Sequence, residues 1–520
     1  MNGREASERH RFAAPIHGLG IALLLSSCSS MPLDFPKTAS VAFDSPGSTT
    51  VGGIFEAEAK LHPGKSGFGI IPEGRNAFTS RVFLADAAEK TLDVQYFIWS
   101  KDTIGQMLAS HIVQAAERGV RVRFLLDDMN FKDRDSAAAA VAAHPNIEVR
   151  IINPHRHRKH RIAEFGINFN RLNKRMHNKI LVMDNAAVIV GGRNIANEYF
   201  GLSDKYNNRD LDIIAVGPIV REISKTFDEF WNTPASVPIE ALVNETHDIE
   251  DFQRQMTLVR QQLAKRDDYP YPLDMDVKVI RSQLNEIKKK FVWAPGRVIY
   301  DTIESLRGNP GTTVWGELTE EFANAQKEVL IESAYFVVKD SGIELARAMT
   351  NRGTRLRVLT NSLASNNVLA AQAGHSKKRK KLLEAGVELY EFRPDAMAVL
   401  DSVGPYGKDA ITTLHTKALV IDDEKAFVGS YNLDPRSADI NSEIGILVES
   451  RVFARQVKDF LNEGVRLENA YRVIVDERGE LRWETTVDGK PRSWSKDPES
   501  TWSQRFLSGF IELLPVESQL

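Results

Sequence analysis

The chain has 520 residues, 42% hydrophobic and 26% charged, which is ordinary globular composition and length enough for two sizeable cores. A formal net charge of -3 excludes a generally basic nucleic-acid binder and leaves only local basic patches to consider. A single cysteine excludes a disulfide framework within the chain.

In chain order, the first feature is an apolar run from Pro15 to Leu25 behind Arg4, Arg9 and Arg11. It is too short to cross a bilayer as a helix and has the charge order of a secretory signal. Leu25-Ser26-Ser27-Cys28 follows directly and resembles the cleavage box of bacterial lipoproteins. In that box the cysteine becomes the lipid-modified first residue. Residues 1–28 are therefore expected to be a leader with Cys28 as the lipid attachment. By the same resemblance Ser29, in place of Asp, points to the outer membrane. An exported lipoprotein anchored at a membrane and facing the periplasm is the implied localisation. Residues 29–50, rich in Ser, Pro, Thr and Gly, are expected to form a tether.

Lys90 to Trp99 is predicted to be a strand, followed by a helix with Ile104, Leu108, Ile112 and Ala115 at helical spacing and a stop at Gly119. Val120 to Leu126 alternates like a second strand and runs into Asp127-Asp128. The stretch His155-Arg-His-Arg-Lys-His-Arg161 has three histidines. Its interleaved cations would repel a divalent ion, so no metal is expected there. It reads as a basic loop, solvated or set to attract anionic head groups. His177, Lys179 and Asp184 then form a His-x-Lys-x-x-x-x-Asp motif. His177 and Lys179 share one face of an extended segment, and Asp184-Asn185 makes a hairpin turn. Asn194 follows the return strand and Asp210 opens another.

The pattern breaks over 235–310, which is expected to be an inter-domain insertion between a first repeat at 51–234 and a second at 311–465. The second repeat runs Val329 to Val338, a helix to Gly353, Thr354 to Leu359, the basic run Ser376 to Lys381, then His415, Lys417 and Asp422, with Asn432 and Glu443 at matching offsets. Residues 466–520 are expected to form a hairpin around Asp476 to Gly479 and an amphipathic helix from Trp502 to Leu514, docked on the protein or lying on a membrane.

One His-x-Lys motif arises often by chance. Two copies with the same glycine, asparagine and acid downstream do not, and the βαβ order in each half predicts an α/β chain with a largely parallel core, built as two pseudo-symmetric α/β/α repeats forming one catalytic unit. The duplicated motif resembles the phospholipase D superfamily. With Thr91 to Trp99, Asn173 to Lys179, Val190 to Ile195, Leu359 to Ala364, Gly386 to Glu391 and Asp434-Pro-Arg-Ser437, it is most similar to the bacterial cardiolipin synthase C group.

That resemblance implies a phosphatidyl transferase or phosphodiesterase acting without metal or other cofactor. His177 would be the nucleophile that forms a phosphohistidine. His415 would be the acid and base for leaving and entering alcohols. Lys179, Lys417, Asn194 and Asn432 would hold the phosphoryl oxygens, and Asp210 and Glu443 would fix the two imidazoles. Asp184 and Asp422 are expected to be structural. The expected partners are phospholipids and a membrane surface, with no obligatory nucleic acid. Transfer to phosphatidylglycerol, giving cardiolipin, leads. Hydrolysis to phosphatidic acid is the close alternative, an exported nuclease the alternative from another class, and a catalytically dead phosphate-binding adaptor the remaining one.

Overall fold

The computed structural model describes residues 35–131, 134–243, 245–264, 288–306, 311–399 and 410–512. Cys28 and the leader at 1–28 lie outside the described residues.

Each repeat builds one sheet. Among the described residues the first has nine strands, ordered Val292–Ala294, Ser66–Ile71, Asp212–Val216, Ala187–Gly191, Ile180–Met183, Thr91–Tyr96, Arg121–Asp127, Ile147–Ile152 and Ser236–Pro238. The second has ten, ordered Gly296–Tyr300, Ile444–Glu449, Lys425–Gly429, Lys417–Ile421, Glu328–Ser333, Arg355–Asn361, Glu388–Phe392, Ala470–Val475, Leu481–Val487 and Lys490–Trp494. Parallel pairing within each sheet is confined to three successive strands, Thr91–Tyr96 with its next two neighbours and Glu328–Ser333 with its next two. Helices Thr103–Glu117 and Asp340–Asn351 make the first crossover of each parallel set, and each is closed by a glycine at positive φ, Gly119 at 97° and Gly353 at 90°.

The motif strands are apolar on both faces because both faces are covered. Ala418 and Val420 pack into a core shared with Ile180, Val182, Val188 and Val190 of the first repeat. Leu419 and Ile421, on the alternate face, belong to the second repeat's own core. Fully burying a Val or Ile side chain contributes roughly 1.5–3 kcal/mol, so this shared layer ties the repeats together. A two-stranded parallel pair, Tyr206–Arg209 with Ile411–Leu414, crosses between them.

Two expectations, the tether and the insertion, need correcting in detail. Part of the tether is docked: Lys37 donates to Thr233 O, Arg150 to Thr38 O at 2.7 Å, Trp231 Nε1 to Ser40 Oγ at 2.9 Å, and Ala42 N to Asp228 at 2.8 Å. Polar small residues can satisfy a neighbour's hydrogen bonds as readily as they can solvate a linker. The 235–310 segment is woven into both sheets, since Ser236–Pro238 and Val292–Ala294 edge the first and Gly296–Tyr300 edges the second. Strands of three to five residues are too short to show a period. The C-terminal hairpin extends the second sheet, and helix Trp502–Glu512 packs on helix Leu369–Glu384 while Trp502, Phe506 and Phe510 remain exposed. No helix among the described residues is long and apolar enough to cross a membrane.

Candidate active site

The two motifs meet because each extended His segment pairs with the other repeat. His177 N donates to Ser442 O at 2.9 Å and His415 N to Arg209 O at 2.8 Å, so each histidine sits beside the residue preceding the other repeat's acid. The side chains repeat the exchange. His177 Nδ1 lies 2.8 Å from Glu443 Oε2, and His415 Nδ1 lies 2.7 Å from Asp210 Oδ2. With a carboxylate as partner, Nδ1 carries the proton and Nε2 presents its lone pair. The aromatic edges of Phe97 and Tyr199 hold the imidazoles from the side, each with ring centroids 4.9 Å apart.

Both lysines are buried at 1% exposure. Each Nζ donates to the carbonyl of its own motif histidine at 2.5 Å, and Lys417 Nζ also lies 3.2 Å from His415 Nδ1, so each ammonium keeps at least one further N–H donor for an anion. Asn194 Oδ1 accepts from Ile98 N at 3.1 Å and its Nδ2 donates to Tyr199 Oη at 3.0 Å, leaving one N–H of the amide. Asn432 Oδ1 is buried with no hydrogen-bond partner among the described residues.

Asp184 and Asp422 stand apart from this cluster. Asp184 accepts the backbone N–H groups of Glu89, Lys90 and Thr91 at 2.7–2.9 Å, and Asp422 those of Gln326, Lys327 and Glu328 at 2.7–3.0 Å. Each closes its hairpin onto the entry to the neighbouring central strand. Asp184, Asn185, Asp422 and Asp423 all have φ between 51° and 62°, the geometry of a type I′ turn.

Burial dominates the electrostatics. It presses both histidines down, aided by the lysines: His177 well below the usual range, by burial, Lys179, Lys417 and Arg436, and His415 to about 3, by burial and Lys417 against Asp210. Lys179 is lowered to about 7 and Lys417 to about 8. The two acids diverge. Burial raises Glu443 to about 7 in spite of Lys179, whereas at Asp210 burial is outweighed by His415, Lys417 and Arg193 and the group stays below its ordinary value. The site at rest thus holds neutral imidazoles between two groups poised to be cationic, which suits an anionic ligand.

Several neighbours escaped the sequence. Ser430 Oγ and Ser437 Oγ donate to Glu443 at 2.5 and 2.8 Å. The first-repeat counterpart of Ser430 is Gly192, where a Cβ would fall 2.3 Å from Asp210 Oδ1. The mismatch between these two positions was the available signal. Asp301, raised to about 8 by burial, accepts from Glu443 N at 2.8 Å, and Arg436 joins Asn173 to the cleft. The basic loop at 155–161 is partly consumed inside the protein, since buried Asp128 accepts from His155, Arg158 and Arg161, while His157, Lys159 and His160 are exposed. In the Ser376–Lys381 run, Lys378 and Arg379 are buried on Asp340, Glu391 and Asp497. Among the described residues no group of His, Cys, Asp and Glu is arranged to hold a metal ion.

The model of the family described as cardiolipin synthase, PLD-like domain, matches residues 84–231 and 318–463, each match enclosing one motif. The chain belongs to the phospholipase D superfamily. It is 33% identical to cardiolipin synthase C of Escherichia coli (strain K12), covering 88% of this chain and 96% of that one. It is also 25% identical to cardiolipin synthase A of Pseudomonas entomophila (strain L48), covering 75% and 67%. The solved phosphatidylserine synthase of Haemophilus influenzae Rd KW20 shares the fold, with a TM-score of 0.55 at 16% identity, over 89% of this chain and 99% of that one.

Proposed function

We propose that this phospholipase D superfamily member is a phosphatidyl transferase of cardiolipin synthase type that works through a phosphohistidine. The observation that carries the proposal is the crossed pairing of His177 with Glu443 and His415 with Asp210 around two buried lysines. His177 Nε2 attacks phosphorus, the bond to the donor's head-group oxygen breaks, and His415 delivers a proton to that oxygen. His415 then takes the proton of the incoming hydroxyl, whose oxygen displaces His177 from phosphorus. The ionised Asp210 makes His415 the better proton carrier. Burial and the two lysines keep both imidazoles neutral at rest; an anionic phosphodiester seated on Lys179 and Lys417 offsets the lysines' share, so His415 takes up the proton it delivers as the substrate binds.

Phospholipid is favoured as substrate by the relatives and by an apolar cavity of about 390 Å³ lined by Phe124, Leu126, Phe131, Met256 and Val259. Trp99, one of its lining residues, lies two positions along the chain from the Phe97 that packs on His177, and no residue of the histidine cluster lines the cavity. The inward turn of Arg158 and Arg161 onto Asp128 removes two cations from any nucleic-acid channel. The lipoprotein-type leader with Cys28 would hold the enzyme at the membrane that supplies its substrate, facing the periplasm. Phosphatidylglycerol is the acceptor we favour.

The test is incubation with radiolabelled phosphatidylglycerol vesicles in chelator, beside single- and double-stranded DNA. Label in cardiolipin, undiminished by the chelator, is the expected result. Phosphatidic acid as sole product would make the enzyme a hydrolase, and cleavage of DNA alone would overturn the lipid reading.

A further inference from the structure

The stretch from Pro154 to Arg175 carries seven Lys or Arg and three His against one carboxylate, Glu164. A water-facing loop of that composition would turn its cations out and its apolar side chains in. Here the polarity is inverted. Asp128, fully buried, accepts His155 Nδ1 at 2.8 Å and Arg158 Nη1 at 2.6 Å and also holds Arg161. Glu164, at 3% exposure, accepts His157 N at 2.7 Å and Arg171 Nη2 at 2.9 Å. With the base fixed in this way, Ile162 stands 91% exposed, Ile167 83% and Phe169 37%. Phe169 meets half-buried Phe165 edge to face at 5.3 Å. His157, Lys159 and His160 are exposed beside them, and no carboxylate of the loop faces outward.

The loop also adjoins the cleft. Asn173, four residues before His177, accepts both Arg436 guanidinium nitrogens at 2.7–2.8 Å, and Arg436 lies close enough to His177 to depress its protonation. An apolar tip on an ion-paired base, with Lys159 and two polar imidazoles exposed beside it, matches the interfacial zone of a bilayer, where apolar side chains enter the acyl boundary and a cation meets anionic head groups.

We infer that residues 161–169 form a wedge that inserts Ile162 and Ile167 into the surface of an anionic phospholipid bilayer and sets the cleft against it. The inference rests on the phospholipid reading of the site for its purpose, and its test reads contact with lipid, not turnover. In the full chain carrying C28S, which removes the only native thiol and the lipid-attachment residue, an environment-sensitive fluorophore is placed on I162C, I167C or V452C. Val452, 61% exposed, lies beyond the far end of strand Ile444–Glu449, whose start adjoins Glu443, and serves as the control.

Vesicles containing phosphatidylglycerol should blue-shift the labels at 162 and 167, with quenching by brominated acyl chains, and leave 452 unchanged. The I162D/I167D double variant should bind such vesicles about tenfold or more weakly and keep its rate on a monomeric short-chain phospholipid. No shift, or an equal shift at all three sites, would overturn the wedge. So would a blue shift already present without vesicles and lost on dilution, because a second copy of the chain would then cover the face. Insertion without transferase activity would leave the wedge standing and remove the proposed function.

Discussion

Glu443 accepts the Nδ1 proton of His177 at 2.8 Å across 266 positions of the chain, so the tautomer of the first motif is set by the second repeat. Replacing the carboxylate by an amide keeps the shape and loses the charge that fixes the ring. Glu443→Gln should lower kcat by roughly 10²–10⁴ with an unchanged circular dichroism spectrum, and Asp210→Asn should act on His415 in the same way. A loss below tenfold in either variant would remove the acids from the mechanism.

The lysines give a pH signature. Lys179 and Lys417, at about 7 and 8, are charged below those values and lose the proton as pH rises through them, so kcat/KM should fall from about pH 7 and more steeply above about 8. Lys179→Arg keeps its charge throughout, and its alkaline limb should move up from about 7 toward the Lys417 value of about 8 even if its maximum is lower. Stability should respond with the opposite sign. The unfolded chain keeps these protons up to about 10.4 and therefore binds more of them between about pH 8 and 10, so the lysines' contribution to stability rises with pH there. Parallel rate and melting profiles separate the two effects.

Asp184 should matter to the fold and not to the chemistry. Asp184→Ala leaves three backbone N–H groups without their acceptor at a site of 0% exposure and strains a positive-φ position. Denaturant unfolding should show a loss of about 3 kcal/mol, with kcat per folded molecule nearly unchanged. Asp184→Gly relieves the backbone strain alone and should recover only part of the loss.

How much of this was legible beforehand depends on what kind of signal each feature leaves. The paired motifs, the return strands and the glycine stops at Gly119 and Gly353 are local patterns of spacing and turn chemistry. The crossing of the acids is not local. Asp210 and Glu443 were visible as residues, but nothing in the chain says that each serves the other repeat's histidine. The short edge strands on either side of Pro295 and the docking of residues 37–42 leave no periodicity at all. Composition alone made the 155–161 stretch look like a basic surface, whereas buried Asp128 takes up much of its charge.

Arg209 tests the joint between the repeats. It pairs with buried Glu332 at 3.0 Å and Glu463 at 2.9 Å, and its guanidinium lies 3.8 Å from the centroid of the Phe460 ring. Arg209→Ala strands the Glu332 carboxylate and should cost about 3–5 kcal/mol, measured by chemical unfolding. Arg209→Ala/Glu332→Leu should recover much of that cost.

The most direct test of the mechanism is alkaline-quenched trapping of the enzyme with a phosphate-labelled lipid donor, followed by peptide mapping. The expected result is an alkali-stable, acid-labile phosphoryl label on the peptide containing His177, absent in His177→Asn and accumulating in His415→Asn with a donor whose leaving alcohol needs no protonation. Label on the His415 peptide alone, or turnover by His177→Asn at the wild-type rate, would contradict it.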